Sequence, residues 1–291
     1  MLQRWRLAAR NRMEGVLRRV VDERLEAHAA ERRAEAAQQS AKQDEALGEI
    51  RGSLASLTGE VRRELVALRQ AIEALEQHQR RDITYALDRW ATTTTADFVA
   101  RELSAARTFD DSHETLRWAL TQAPPDGLAL EFGVWSGTTL RIITPTRPRG
   151  TVFGFDSFEG LPEVWRTGFE AGSFSAAALP DAPGAELVVG LFEDTLPEWA
   201  AEHPESIAFL HLDADLYSST ATVLGHVGDR LVEGSIVVCD EYFNYPGWPE
   251  HEHRAWTEFV DRTGTQFTYE AYTRDDEQVV IRITKPGSMS R

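Results

Sequence analysis

The sequence predicts an α/β protein whose larger, C-terminal part folds as a doubly wound, mostly parallel sheet of seven strands. A long helical region precedes that sheet. Three observations indicate this fold class. Short apolar segments alternate with helical patterns after residue 127, two glycines follow the first apolar segment, and the first 80 residues join high helix propensity to a heptad repeat.

We expect three regions in the 291 residues. Residues 1–82 are a helical, coiled-coil oligomerisation region, residues 83–127 a helical lid or linker, and residues 128–291 the sheet domain. The first 82 residues carry a net charge of +2 and the remaining 209 a net charge of −18, which argues against a nucleic-acid partner. The single cysteine, Cys239, excludes an internal disulfide and fits a reducing compartment, so we expect a cytoplasmic protein.

The N-terminal region carries a narrow apolar stripe with one stutter, which needs a partner helix. The partner can come from a second copy or from the same chain folded back, and we favour the second copy. The stripe consists of Leu47, Ile50, Leu54, Leu57, Val61, Leu65, Leu68, Ile72 and Leu75. Gly48, Gly52 and Gly59 weaken its first half. Residues 4–25 are basic and amphipathic, a pattern that suits a membrane surface or a second helix, and we favour the helix.

The sequence predicts short helices within residues 83–127. The polar threonine tract at 92–95 is expected to separate two of them, and Pro124 and Pro125 end the last. The predicted strands lie at residues 128–132, 151–155, 186–189, 207–212, 235–239, 266–272 and 278–284. The last two form a closing antiparallel hairpin.

The turn after the first strand is the predicted ligand site. Gly133 and Gly137 follow Glu131, but neither the dinucleotide-binding nor the Walker glycine spacing is present. An acid at the strand end repels phosphate and suits a cationic or hydroxyl-rich ligand. S-adenosylmethionine, with its ammonium and sulfonium groups, is such a ligand. An ordinary strand-turn-helix has the same pattern, so the turn alone does not decide.

Every parallel strand end carries a carboxylate, and ligands of open α/β sheets lie at that edge. The residues are Glu131, Asp156, Asp194, Asp213, Asp215, Asp240 and Glu241. Asp156 lies where an acid binds ribose hydroxyls in nucleoside-binding sheets, although it can also cap the segment that follows. Asp213, Asp240 and Glu241 suit Mg²⁺ or a similar cation, or a general base whose pKa is raised. His211 lies deeper and is expected to be a hydrogen-bonded core histidine.

Five phrases in this order resemble the macrocin O-methyltransferase family of class I S-adenosylmethionine-dependent enzymes, which have a Rossmann-like fold and methylate sugar hydroxyls of natural products. The phrases are EFGVWSG (131–137), VFGFDSFEGLP (152–162), GLFEDTLP (190–197), HLDADLYSST (211–220) and VCDEY (238–242). The resemblance covers residues 128–285 and leaves the first 80 outside. The closing hairpin also suits a methyltransferase and not a plain dinucleotide-binding fold.

The resemblance implies a role for each matching residue. Cofactor binding falls to Glu131, Gly133 and Gly137 for the methionine part, Asp156 and Ser157 for the ribose, and Phe192 and Asp194 for the adenine side. Trp135, Ser136 and Asp213 are further cofactor-binding residues. Asp213, Asp240 and Glu241 are implied as ligands of a divalent metal, with Asp213 as base. Glu241 stands where the family more often has aspartate.

The acceptor is expected to be a small molecule or glycan, in a pocket built from residues 165–174, Tyr217 and residues 242–248. Three other interpretations stay open. The sheet could bind a nicotinamide nucleotide, the enzyme could methylate phenols or other small acceptors without a metal, or the protein could be a coiled-coil scaffold with an inactive domain.

Overall fold

The computed structural model describes residues 2–288, except for the side chains of residues 2–9 and Asn11. Part of the predicted basic face at residues 4–25 therefore lies outside the described side chains. The chain divides into two compact units, Met1–Arg81 and Asp82–Arg291. None of the described helices combines the length and apolar composition that a membrane crossing requires.

The helices and strands follow one another as α1 Leu2–Arg81, α2 Ile83–Glu102, β1 Arg107–Phe109, α3 Ser112–Gln122, β2 Leu128–Phe132, α4 Leu140–Ile143, β3 Val152–Asp156, β4 Glu186–Val189, α5 Phe192–Glu202, β5 Ile207–Leu212, α6 Tyr217–Val227, β6 Leu231–Cys239, α7 Glu252–Thr263, β7 Gln266–Thr273 and β8 Val279–Lys285.

Helix α1 runs without interruption through the three glycines of its middle part. The apolar stripe lies exposed along it, from 48 % exposure for Val61 to 63 % for Ile50 and Leu54. A run of exposed leucine, isoleucine and valine on one helical face is the arrangement that a partner helix would bury.

Helix α2 continues through the threonine tract at 92–95, so the expected break there is wrong. The hydroxyl groups of Thr92 and Thr93 donate to the carbonyl oxygens four residues earlier, at 3.0 and 2.8 Å. Threonine can satisfy its hydroxyl inside a helix in this way, and Thr95 and Phe98 bury one side of α2. Tertiary packing thus overrides the weak helix propensity of the tract.

The sheet has the strand order β1-β7-β8-β6-β5-β2-β3-β4. Strand β8 is antiparallel to β6 and β7, and the other neighbouring pairs are parallel. The predicted doubly wound, mostly parallel sheet with an antiparallel closing hairpin is confirmed. Strand β1 is an eighth strand that was not predicted. Its three residues lack a buried pattern, and their parallel pairing with β7 joins segments more than 160 residues apart in sequence.

Two clusters of buried side chains lie on the two faces of the sheet. Leu130 and Phe132 of β2 belong to one cluster, with Trp256 of α7, whereas Ala129 belongs to the other, with Leu140 of α4. Successive residues of a strand point to opposite faces, so helices cover both sides. The carboxyl ends of the central strands remain the open edge.

The ends of β2 and β5 approach each other closely at Gly133. The N–H of Asp213 donates to the carbonyl oxygen of Phe132 at 2.9 Å. Gly133 has φ +94°, and a Cβ at this position would lie 1.7 Å from the carbonyl oxygen of Asp213. Only glycine therefore permits this backbone conformation and this contact.

We expect Gly133→Ala to lower the free energy of unfolding by about 2–4 kcal/mol, because the added methyl group must displace the loop after β5 and strain the backbone. Urea unfolding of the full chain measures the change. Gly225→Ala is the matched control: Gly225 lies exposed in α6 with no atom within 4 Å of its added Cβ, so this variant should be unchanged or stabilised by up to about 1 kcal/mol. Equal stability of the two variants would contradict this account.

Candidate active site

A connected row of three polar side chains, two of them fully buried, lies at the carboxyl ends of the central strands. The register pairs Glu131 of β2 with His211 of β5, and both side chains are fully buried. Nδ1 of His211 lies 2.9 Å from Oε1 of Glu131, and its Nε2 lies 3.5 Å from Oδ1 of Asp240. The amide of Gln278 donates to that same oxygen of Asp240 at 2.6 Å. His211 of β5 thus joins acids from the two strands that flank β5.

The charge of His211 follows from these contacts. Burial alone disfavours the imidazolium, but the contacts and charges of Asp240 and Glu131 outweigh burial and raise the pKa of His211 well above its ordinary value. A buried cation between two carboxylates offsets part of the repulsion among the acids at this edge. This is the expected core histidine, with an electrostatic role that its position in the sequence did not indicate.

Asp156, at the end of β3, organises the turn that follows β2. Its Oδ2 accepts the backbone N–H groups of Val134 and Trp135 at 2.9 and 2.7 Å, and its Oδ1 accepts the N–H of Phe158 at 2.7 Å. Trp135 and Phe158 have positive φ angles of 42° and 57°. The carboxylate therefore holds two strained residues, in addition to the ribose-binding role that the resemblance implies.

A cavity of about 760 Å³ lies over this edge of the sheet. Eight of the predicted site residues line it: Gly133, Trp135, Ser136, Asp156, Ser157, Phe192, Asp213 and Glu241. Four others are not among its lining residues: Glu131, Gly137, Asp194 and Asp240. Glu131 is fully buried, and Asp194 is exposed in the first turn of α5.

Three carboxylates converge at the floor of the cavity. Asp213, Asp215 and Glu241 each offer an oxygen, and these oxygens lie within 4.8 Å of one another. The structure brings two of the three predicted metal ligands together but has Asp215 in the place expected for Asp240. Asp240 instead accepts a hydrogen bond from Gln278 through its Oδ1. Asp215 follows the end of β5 and has a left-handed backbone conformation, with φ +59°.

The chemistry of this cluster suits a divalent cation. Burial, followed by the charges of neighbouring acids, raises the pKa values of Asp213 and Glu241 well above their ordinary range. Burial also raises the pKa of Asp215 to about 7, although the nearby Arg166 lowers it. Oε2 of Glu241 is buried and has no hydrogen-bond partner among the described residues. Hard oxygen donors that repel one another in this way are the ligands that Mg²⁺ prefers.

The opposite wall of the cavity comes from the connection between β3 and β4, residues 157–185. Trp165, Arg166, Phe169 and Phe174 of this connection line the cavity. The guanidinium of Arg166 lies 3.9 Å from the ring centre of Trp165 and donates to both carboxylate oxygens of Glu277, at 2.8 and 3.0 Å. The wall is thus aromatic with one half-buried cation.

Part of the expected acceptor pocket does not reach the cavity. Tyr217 donates to Glu258, and residues 242–248 include rings that are buried in the core, such as Tyr242 and Trp248. His113 of α3 does line the cavity, although it lies before the first predicted strand and no motif indicated it. The spacing of Asp213 and Asp215, two residues apart at a strand end, is the signal that could have placed Asp215 in the acidic cluster.

Comparison of the sequence with known protein families tests the resemblance. Residues 171–266 match the sequence model of the family described as Macrocin-O-methyltransferase (TylF). The resemblance to the macrocin O-methyltransferase family is confirmed. The matched range contains Phe192, Asp213, Asp215 and Glu241. The glycine turn, residues 133–137, lies before the matched range.

Two relatives are O-methyltransferases of streptomycetes. The 8-demethyl-8-(2,3-dimethoxy-alpha-L-rhamnosyl)-tetracenomycin-C 4'-O-methyltransferase of Streptomyces olivaceus is 27 % identical over 170 residues, which are 50 % of this chain and 63 % of that enzyme. The demethyldecarbamoylnovobiocin O-methyltransferase of Streptomyces niveus is 26 % identical over 163 residues, 46 % of this chain and 61 % of that enzyme. The matches thus span less than two thirds of either relative.

Solved structures include similar chains. A calicheamicin methyltransferase is 27 % identical and aligns with 59 % of this chain and 77 % of its own, with a TM-score of 0.46. The O-methyltransferase NovP is 25 % identical and aligns with 60 % of this chain and 79 % of its own, with a TM-score of 0.44.

The raised pKa of Asp215 predicts a pH dependence of stability. Its folded pKa is about 7 against an ordinary 3.8, so between these values the unfolded chain releases a proton that the folded chain keeps. The contribution of Asp215 is therefore fully present below pH 4 and is lost as the pH rises to 7. We expect the stability of the wild type, relative to Asp215→Asn, to fall by on the order of a few kcal/mol across this window.

Urea unfolding of both proteins in EDTA, at pH values from 4 to 8, tests this expectation. Parallel stability curves for wild type and Asp215→Asn would contradict the burial of an uncompensated carboxyl group at this position.

Proposed function

We propose that the chain is an S-adenosylmethionine-dependent O-methyltransferase that methylates a hydroxyl group of a sugar or of a glycosylated natural product, with the help of a divalent cation. One observation carries the proposal: a single cavity over the carboxyl edge of the sheet contains both the glycine turn with Asp156 and the acidic cluster Asp213, Asp215 and Glu241. The family match and the two O-methyltransferase relatives support it.

The glycine turn and the neighbouring Glu131 are suited to the cofactor. Gly133, Trp135 and Ser136 line one end of the cavity. Two residues before Gly133, Oε2 of Glu131 is buried and has no hydrogen-bond partner among the described residues. An unpaired carboxylate oxygen in the interior is costly unless a cationic or hydroxyl group satisfies it. The ammonium and hydroxyl groups of S-adenosylmethionine would supply such partners, with Asp156 and Ser157 on the ribose side and Phe192 and Asp194 on the adenine side.

The aromatic wall is suited to the acceptor. Phe169 and Phe174 stack with ring centres 5.4 Å apart, and Trp135 meets Phe174 edge to face at 5.8 Å. Flat apolar faces with polar groups at their rim bind sugar rings and aglycones, because both have apolar faces and hydroxyl edges. A hydroxyl group of such an acceptor would lie between this wall and the acidic cluster.

The proposed reaction is an in-line displacement. The hydroxyl oxygen of the acceptor forms a bond to the methyl carbon, the bond from that carbon to sulfur breaks, and sulfur keeps the electron pair. When bound, S-adenosylmethionine supplies the methyl group, and a cation held by Asp213, Asp215 and Glu241 would lower the pKa of the hydroxyl and fix its direction.

We propose that Asp213 binds the cation and accepts the hydroxyl proton. Asp215 is a second candidate for proton transfer, because it lines the same cavity and its pKa of about 7 suits a base near neutral pH. Asp240 would then act through its contacts with His211 and Gln278.

Asp213→Asn is expected to lower methyl transfer by about 100-fold or more, because it removes a ligand and a proton acceptor, while binding of S-adenosylhomocysteine changes little. Transfer of a labelled methyl group to a panel of rhamnosylated and other glycosylated aromatic compounds measures the first, and calorimetry the second. Asp126→Asn, the same exchange at an exposed loop residue, is the control and should keep full activity. A wild type that binds no S-adenosylhomocysteine would refute the proposal and leave the inactive-scaffold interpretation.

Chelation separates the metal-assisted reaction from its metal-independent alternative. Activity of the wild type should disappear in EDTA and return with Mg²⁺ or Mn²⁺. Full activity in EDTA would refute the metal part while leaving the methyltransferase proposal intact.

We also propose that α1 pairs with α1 of a second copy through its exposed stripe. Leu68→Glu places a charge in the stripe and should dissociate the oligomer, because a buried carboxylate without a partner opposes helix pairing. Gln70→Glu adds the same side chain off the stripe and should keep the oligomer. Sedimentation of the full-length proteins measures both. An oligomer that survives Leu68→Glu unchanged, or a monomeric wild type, would contradict the pairing.

A further inference from the structure

Glu252 is a fully buried acid at the first residue of α7. Acids are common in the first turn of a helix, where they are normally exposed and favoured by the helix dipole. A buried carboxyl group is costly and needs partners. No described basic side chain forms an ion pair with Glu252, and its Oε1 has no hydrogen-bond partner among the described residues. Helix capping alone does not account for this position.

The contacts of Glu252 lead to the acidic cluster. Its Oε2 accepts the backbone N–H of Glu241 at 3.2 Å. On the other side of the same residue, the hydroxyl group of Tyr245 donates to the carbonyl oxygen of Glu241 at 3.2 Å. The two peptide groups that flank the Cα of Glu241 are therefore both held by side chains.

Fixing the backbone matters at Glu241 because its side chain is long. The residue lies just beyond the end of β6. The N–H groups of its neighbours Asp240 and Tyr242 donate to backbone carbonyl oxygens at 2.8 and 2.9 Å, whereas the N–H of Glu241 itself donates to Glu252. The side chain of Glu241 has one more rotatable bond than aspartate, yet its carboxylate lies within 4.8 Å of Asp213 and Asp215. A longer ligand reaches a defined point only when its backbone is fixed.

Docking of α7 does not require Glu252. Ala255, Trp256 and Phe259 are buried on one face of this helix and pack it into the core. The apolar contacts of these three residues anchor the helix, and the hydrogen bond from the N–H of Glu241 is a separate interaction.

We propose that Glu252 is a positioning residue, whose hydrogen bond to the N–H of Glu241 aims the Glu241 carboxylate at the cation site formed with Asp213 and Asp215. The inference rests on the proposed function, since it assumes that this cluster binds a divalent cation. It assigns a task to a residue that no motif pointed to.

Binding of Mn²⁺ alone to the full-length protein, followed by electron paramagnetic resonance of the free ion, tests the inference. Glu252→Leu fills a similar volume and loses the acceptor, and it should weaken Mn²⁺ binding by about 10-fold or more, the usual effect of losing a residue that orients a metal ligand. Glu252→Gln keeps an oxygen at the same reach and should stay within about threefold of the wild type. Glu241→Gln sets the scale for loss of a ligand.

The unfolding temperature and the affinity for S-adenosylhomocysteine are measured for each variant and should change little. A merely structural role of Glu252 would change these two quantities and not the Mn²⁺ affinity. Wild-type Mn²⁺ affinity in a folded Glu252→Leu protein, or equal losses in the Leu and Gln variants, would overturn the inference. If Glu252→Leu does not fold, Glu252→Asp decides: its shorter carboxylate cannot reach the N–H, and unchanged binding would overturn the inference.

The same measurements separate this inference from the proposed function. The inference alone is refuted if the wild type and Glu252→Leu both bind Mn²⁺ while Glu241→Gln does not. A wild type that binds no Mn²⁺ refutes the cation site itself, and methyl transfer then reports on the rest of the proposed function.

Discussion

The arrangement of acids at the edge of the sheet depends on the buried contact of His211 with Glu131 and Asp240. These carboxylates come from the ends of β2 and β6, the strands on either side of β5, and more lie beside them at Asp213 and Glu241. Like charges in a low-dielectric interior repel strongly, and burial adds the cost of lost solvation. An imidazolium between two of them supplies the opposite charge at the centre of the group, so the cavity can keep a high density of oxygen donors without a basic residue in its floor.

Much of this architecture could be predicted because its signals are local. Strands such as β2 and β5 are mainly apolar and buried on both faces, and acids lie at their carboxyl ends. The features that sequence reasoning missed depend on tertiary contacts. Asp240 interacts with Gln278, 38 residues away, and this contact cannot be read from either segment. Strand β1 exists only because β7 lies beside it.

Backbone strain is concentrated around the cavity. Trp135 and Asp215 have positive φ angles although neither is glycine, and Asp156 fixes the first of them through two hydrogen bonds. Such conformations persist only where the surroundings determine them. The threonine tract of α2 shows the opposite case, because packing of the helix keeps it regular where a break was predicted. Local conformational preference therefore gave the wrong backbone both at the strained residues of the cavity and in the threonine tract, because tertiary contacts outweighed it.

The half-buried ion pair of Arg166 and Glu277 joins the aromatic wall to the turn between β7 and β8. Residues 157–185 contain no helix or long strand, so few backbone hydrogen bonds anchor this wall to the sheet. Outward movement of the wall must separate the guanidinium of Arg166 from the carboxylate of Glu277 and from the ring of Tyr245 at once. Passage of a bulky molecule past the wall is thereby tied to the conformation of a hairpin at the far end of the sequence.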